Sequence, residues 1–281
     1  MFRNLRIDFH PILTISYILI IYEIMKLSIC IICFNEERNI KNCLESVSWA
    51  DEIIVVDSGS KDRTIEIVEQ YSAKVFDRPW TGYVDQKNYA LSKASGDWVL
   101  SLDADETVSP ALREEILSVM DLSKTNDGYW IPRLSFYQGR WIRHSGFYPN
   151  KQLRFFKRER GHWVGGRVHE RLEVIGAVGE LKNDLLHHPY EGSIVGQLQR
   201  LNNYSTLQTE DLYERGKRYH LILLLFRPFF KFLEVYIIKR GFLDGLAGFI
   251  IAVTFSYFMF VRYVKLRELG IHIENHPSKD S

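Results

Sequence analysis

The chain has 281 residues, 46% hydrophobic and 25% charged, with 36 Lys and Arg against 35 Asp and Glu for a net charge of +1. That composition excludes a disordered or low-complexity chain and argues against a protein held to nucleic acid by a uniformly basic surface. Three cysteines are too few for a disulfide scaffold and fit a reducing compartment. The average conceals a division, because Leu27 to Asp121 carries 9 Lys and Arg against 18 Asp and Glu, whereas Pro132 to Glu173 carries 10 against 3. Acidic segments commonly hold divalent cations and basic ones hold anions.

In chain order, the first feature is an uncharged run from Pro11 to Tyr22, shorter than the roughly 20 residues a bilayer span needs. Arg3 and Arg6 precede it, but no small-x-small cleavage site follows. Met25 stands directly before the first convincing strand, so residues 1–24 read as an upstream extension or a short anchor. Leu27–Phe34 is a continuous apolar run, the mark of a strand buried on both faces, and Glu36 to Val47 has helical spacing. A second strand is expected at Ile53–Val56, a helix near Asp62 to Tyr71 and a short strand at Lys74–Phe76. Then come a helix over Val84 to Ala94, a strand at Trp98–Leu102 and a helix over Pro110 to Met120 capped by Ser109. This alternation predicts a parallel α/β sheet with its ligands at the carboxyl ends of the strands.

From Gly128 to Leu185 the chain is aromatic, basic and turn-rich, with strands expected at Tyr129–Leu134 and Gln152–Phe156. Ser193 to Arg215 reads as a polar helix. Beyond it, apolar Leu221 to Phe226 leads into a stretch where Arg227, Lys231, Lys239 and Arg240 alternate with aromatic residues. The run Gly245 to Val261 is then uncharged, with Asp244 at its edge and basic residues on both flanks. This composition points to membrane association, by lying in the interface first and by spanning second. The expected division is therefore 1–24, a catalytic region 25–215 with halves 25–121 and 122–215, and a helical, membrane-associating region 216–281.

Cys30 and Cys33 have CxxC spacing but lie within a strand, where residues three apart face opposite sides and cannot share a metal. Neither GxGxxG nor a Walker sequence is present. The strong constellation is acidic. Asp57 ends the second strand, and Asp103-Ala104-Asp105 follows the fourth. Two aspartates two apart in an extended segment project to one side and can share a hard cation.

The segments Ser28 to Glu37, Ile54 to Asp62 and Leu102 to Glu106 resemble the N-terminal half of family 2 inverting glycosyltransferases, which have the GT-A fold, a Rossmann-like mixed sheet flanked by helices. Gly166 to Glu170 and Leu186 to Tyr190 resemble the branch that adds a hexose to lipopolysaccharide core. Ser58 departs from the frequent Asp-Asp-Gly-Ser pattern, which affects the ribose surroundings more than the base. The resemblance implies that Asn35, Glu36 and Asp57 hold uracil and ribose, that Lys87 meets donor phosphate or neighbouring acids, and that Asp103 holds ribose or sugar. It implies Mg²⁺ or Mn²⁺ on Asp105, with His187 or His188 completing the metal shell or touching diphosphate. Inversion needs a base opposite the leaving group, for which Glu170 is the candidate and His169 the alternative. Arg140, Arg143, Arg154 and Trp141 would grip an anionic acceptor through guanidinium forks and an aromatic face.

The expected activity is metal-dependent, inverting transfer of a hexose, with glucose favoured, from a UDP-sugar to an anionic glycolipid such as lipopolysaccharide inner core. The expected location is the cytoplasmic face of a bacterial inner membrane, without a nucleic-acid partner; oligomeric state stays open. A polyprenyl-phosphate acceptor and a non-catalytic nucleotide-sugar scaffold are the alternatives.

Overall fold

The computed structural model describes residues 25–121, 125–166, 170–189 and 193–275. The expected N-terminal extension and His169 lie outside the described residues.

Four strands, β1 (Leu27–Cys33), β2 (Glu52–Asp57), β3 (Ala73–Asp77) and β4 (Trp98–Asp103), run parallel in the spatial order β4-β1-β2-β3. They are joined by α1 (Ile40–Ser46), α2 (Thr64–Val68) and α3 (Tyr83–Lys93), as the alternating pattern predicts. Both faces of β1 are covered. Cys33 joins Ile29, Ile31 and Ile40 on one face, while Cys30 joins Ile54, Val56 and Ala90 on the other. The two thiols are therefore separate core residues, and burial pushes both well above the ordinary thiol range.

After β5 (Glu106–Val108) comes α4 (Pro110–Met120), whose Ser109 cap accepts a hydrogen bond from the Leu112 amide. Then β6 (Gly128–Ile131), β7 (Arg133–Tyr137), β8 (Arg140–Ile142) and β9 (Gln152–Lys157) follow. The strand expected at Tyr129–Leu134 is in fact two, divided at Pro132, which has no amide hydrogen to give a ladder. Its halves enter different sheets: β9 inserts antiparallel between β4 and β6, whereas β7 pairs with β8. Beyond a ribbon of β10 (Gly161–Gly165) and β11 (Glu170–Val174), β12 (Val178–Glu180) closes the edge of a mixed seven-stranded sheet. A four-stranded sheet runs β5-β13-β7-β8, with β13 spanning Leu185–His187.

The C-terminal part holds α5 (Ile194–Glu214), α6 (Leu221–Leu233) and α7 (Gly245–Asn275). The side chain of Ser193 caps α5 by accepting from the amides of Val195 and Gly196. A π turn over Glu234–Ile238 and a 3-10 turn over Gly241–Asp244 connect α6 to α7. This part is docked rather than loosely tethered, because Val235, Ala247, Ile251 and Ala252 pack with Tyr137 and Ile142 in one buried cluster. Asp244 is buried and its carboxylate accepts from the amides of Arg143 and His144 and from the Ser145 hydroxyl. Other apolar side chains are exposed, among them Leu225, Phe226, Phe229 and Phe230 of α6 and Leu246 of α7. Among the described residues, one helical stretch, Gly241–Ile271, is long and apolar enough by length and composition to cross a bilayer.

Candidate active site

The carboxyl ends of β1, β2 and β4 open into a cleft of 1210 Å³. Its loops are stitched to one another. Asn35 adopts a left-handed conformation, its amide donates to Ser60 Oγ at 2.9 Å, and its Oδ1 accepts from the Lys61 amide at 2.7 Å. The Glu36 amide donates to Thr64 Oγ1, its carboxylate accepts from Asn39 Nδ2, and the residue lines the cleft. Asp57 is buried and organises its own turn, accepting from the amides of Gly59 and Ser60 and from the Ser60 hydroxyl. Ser58 is the residue of this turn that lines the cleft.

Helix α3 is fixed to β10 by a reciprocal pair in which Asn88 donates to the Trp163 carbonyl and accepts from the Trp163 amide, both at 2.9 Å. This seats Lys87, the preceding residue, over the Trp163 ring with Nζ 4.5 Å from its centroid. The Lys87 Nζ lies 3.0 Å from Asp103 Oδ1 and 3.8 Å from Glu170 Oε1, while its side chain is only 2% exposed. On the other side of Asp103, Arg154 Nη2 is 2.6 Å from Oδ2 and also 3.7 Å from Glu106 Oε1. The fully buried Glu106 receives Arg133 Nη1 at 2.8 Å. Three acids and three bases thus alternate in a row under the cleft: Glu170, Lys87, Asp103, Arg154, Glu106, Arg133.

Neighbouring charges and burial set the ionisation of the three central members, Lys87, Asp103 and Arg154. Burial pushes the Asp103 carboxyl up, but Arg154 and Lys87 outweigh it and hold the group well below the ordinary carboxylate range. For Lys87, burial and then the Arg154 charge lower the ammonium, against the pull of Asp103 and Glu170. Burial also lowers Arg154, yet Asp103 and Glu106 overcome it and raise the net value.

Asp103 and Asp105 do not share one extended segment as the sequence suggested. β4 ends at Asp103, Ala104 and Asp105 form a turn, and β5 begins at Glu106. The cause is Glu106, whose Oε2 accepts from the Asp103 amide at 3.0 Å and whose strand pairs with β13. The two aspartates consequently have different partners. Asp105 Oδ2 stands 3.4 Å from His187 Nε2, and His187 Nδ1 meets Ser135 Oγ at 3.0 Å. The His187 ring thus bridges Ser135 and Asp105 at the edge of the cleft. Among the described residues no group of three or more His, Cys, Asp or Glu side chains is placed to hold a metal. Asp105 and His187 are a neighbouring pair in the cleft that could hold a cation, and one held there would need oxygens of a bound substrate to complete a donor set suited to Mn²⁺ or Mg²⁺. The neighbouring His188 instead packs against Phe136 and Trp141, and burial followed by the His187 charge lowers its imidazole.

The cleft therefore brings together Glu36, Asp103, Asp105, Glu170 and His187, with Lys87 beneath them. Of the expected acceptor clamp it gathers Arg154 alone, which lines the cleft but is 4% exposed and belongs to the buried ionic row. Arg140 and Arg143 are exposed outside the cleft, Arg140 beside Gly245 at the start of α7 and Arg143 near Asp184 and Tyr148. Trp141 lies edge-on to Phe136, with ring centroids 5.1 Å apart. Arg140 and Trp141 share β8 and Arg143 follows it, whereas Arg154 lies on β9 in the other sheet, so the four do not form one clamp. The cleft wall is built instead by Trp80, Tyr83, Arg200, Asn203 and Tyr204. Only the aromatic-glycine turn Pro79 to Tyr83 left a signal for these, with Gly82 at φ +120° where other residues are strained.

A family model, Glycosyl transferase family 2, matches residues 28–173. The chain is a family 2 glycosyltransferase. Its mixed sheet with flanking helices is the GT-A arrangement expected from the motifs. This glycosyltransferase is 34% identical over 270 residues to an uncharacterized glycosyltransferase of Rickettsia typhi, covering 91% of each chain. It is 33% identical over 248 residues to the lipopolysaccharide core biosynthesis glycosyltransferase LpsC of Rhizobium meliloti, covering 86% of this chain and 92% of that one. Among solved structures, TarS residues 1–349 of S. aureus with UDP-GlcNAc matches at TM-score 0.47 and 15% identity, covering 88% of this chain and 92% of that one.

Proposed function

We propose that this glycosyltransferase moves a hexose, with glucose favoured, from a UDP-sugar to an anionic glycolipid of the lipopolysaccharide inner-core class, with inversion and with Mn²⁺ or Mg²⁺ bound. The observation that carries the reading is the convergence of Asp103, the Asp105–His187 pair and Glu170 on one cleft at the strand ends. The likeness to LpsC supports the acceptor class.

In this reading Glu36 and the turn after β2 receive the nucleoside, and Asp103 orients ribose or sugar from a carboxylate fixed by Lys87 and Arg154. The Nε atom of Arg133 and the Nε and Nη1 atoms of Arg154 have no hydrogen-bond partner among the described residues, and donor diphosphate oxygens are of the type they need. Asp105 and His187 would hold the cation, which when bound offsets the negative charge that develops on the departing UDP. Glu170 faces the cleft and accepts the proton of the acceptor hydroxyl as that oxygen bonds to the anomeric carbon and the bond to UDP breaks. Lys87, on the other side of Glu170, keeps the carboxylate aimed into the cleft.

The exposed apolar side chains of α6 and α7, flanked by Lys231, Lys239 and Arg240, support a place on the cytoplasmic face of a bacterial inner membrane, with both helices in the interface. The same surface favours a second acceptor, a polyprenyl phosphate. Labelled UDP-glucose, offered with Mn²⁺ to a lipopolysaccharide-core extract and to polyprenyl phosphate, decides between them. Label in the core fraction is expected; label only in the polyprenyl fraction supports the second acceptor, and label in neither overturns both.

A further inference from the structure

Helix α5 has two working faces. Asn202, Ser205 and Thr209 turn toward α7, where Lys265 Nζ reaches the Asn202 carbonyl and Ser205 Oγ at 2.8 Å and Thr209 Oγ1 donates to the Arg262 carbonyl at 3.3 Å. Arg200, Asn203, Tyr204 and Leu207, spaced i, i+3, i+4 and i+7, form the opposite stripe and line the cleft. Facing them is the turn before α3, where Trp80 and Tyr83 meet edge-on with centroids 4.7 Å apart. The Gln86 amide donates to the carbonyls of Arg78 and Pro79 at 3.0 and 2.9 Å, so this turn is held rather than free. Burial raises the Tyr83 phenol, with Tyr204 and Glu170 adding to it and Arg200 opposing, as expected if these groups share one patch. Aromatic faces, an amide and a guanidinium, with no carboxylate in the stripe, form a surface for a sugar ring that carries negative charge. The opposite face of the same helix rests on the part of the molecule whose apolar side chains are exposed.

We propose that the cleft-facing stripe of α5, with Trp80 and Tyr83, is the acceptor subsite: it takes the terminal saccharide of a membrane-linked anionic glycan, with the ring on Tyr204 and Trp80 and the anionic group on Arg200. The proposal rests on the acceptor reading given above and places recognition on α5, where the basic strands were expected to supply it. The experiment is initial-rate transfer from UDP-glucose with Mn²⁺ to deacylated inner-core oligosaccharide, intact and after phosphatase treatment. Tyr204→Ala is expected to raise the acceptor KM about tenfold or more, equivalent to one lost stacking or hydrogen-bonding contact. Tyr204→Phe should restore most of it, because the ring rather than the hydroxyl is the platform. Arg200→Ala should weaken the intact acceptor far more than the phosphatase-treated one, and neither variant should shift the UDP-glucose KM. Wild-type protein that hydrolyses UDP-glucose but glycosylates neither oligosaccharide overturns the acceptor reading and this subsite together. Transfer by wild type with unchanged acceptor KM in both variants, or an equal rise in donor KM, overturns the subsite alone.

Discussion

The alternating row under the cleft makes each member hard to replace. Removing one partner of a buried ion pair strands a charge at a cost of about 3–5 kcal/mol, although a complete pair adds little over apolar packing. Glu106→Gln would leave Arg133 without its carboxylate partner, while Arg154 keeps Asp103. We expect it to lower unfolding stability by about 3 kcal/mol in urea titration and to weaken UDP-sugar binding, since the single oxygen of the amide cannot accept from both the Asp103 amide and Arg133. Glu170→Gln keeps the shape and removes the base: kcat should fall by about 10²–10⁴ with little change in donor KM, and a rate near wild type would remove the assignment. Asp105→Asn should raise the Mn²⁺ concentration needed for half-maximal rate, and an unchanged metal dependence would separate Asp105 from the cation. At this scale the acids were legible in the sequence because Asp57, Asp103 and Asp105 follow apolar runs. Arg154 was not, because its place beside Asp103 depends on β9 pairing with β4 across 51 residues.

At the scale of elements, the parallel half could be read almost directly, since Leu27–Phe34 is apolar but for Ser28 and Ile53–Val56 is apolar throughout, as in strands covered on both faces. The antiparallel strands between Gly128 and Glu180 are short and their partners distant, so periodicity assigned Gln152–Phe156 to a strand without saying where it inserts. One carboxylate binds the parallel strands together at their amino ends. Glu52 accepts from Ser28 Oγ of β1 at 2.5 Å, from Lys74 Nζ of β3 at 2.6 Å and from the Ser95 amide at 2.8 Å. Burial opposes its charge, but these bonds hold the carboxyl down at about 2, against an ordinary value of 4.5. A depressed folded value means that the stabilisation is complete above 4.5 and is lost as pH falls from there through about 2. Glu52→Gln should therefore destabilise by ~1–3 kcal/mol at neutral pH and flatten the acid limb of a melting-temperature profile, whereas a parallel shift at every pH would refute the linkage.

For the whole molecule, the exposed apolar faces of α6 and α7 lie beside basic residues, a pattern that predicts affinity for anionic bilayers weakened by salt. Co-sedimentation with phosphatidylglycerol vesicles should capture the protein, and Phe229→Glu with Phe230→Glu should release it without lowering the melting temperature; equal capture of the double variant would refute this surface. The buried aspartate between α6 and α7 has a practical consequence. Asp244 satisfies the amides that lead out of β8, and the residues following it cover Tyr137 and Ile142. A shortened form of the enzyme cannot be reached by cutting the chain after α5, since the cut would bare an apolar seam and leave two amides of the 143–145 bend without acceptors. Substitutions of the exposed apolar residues therefore belong on the outward side of the helix pair, with its inward side left intact.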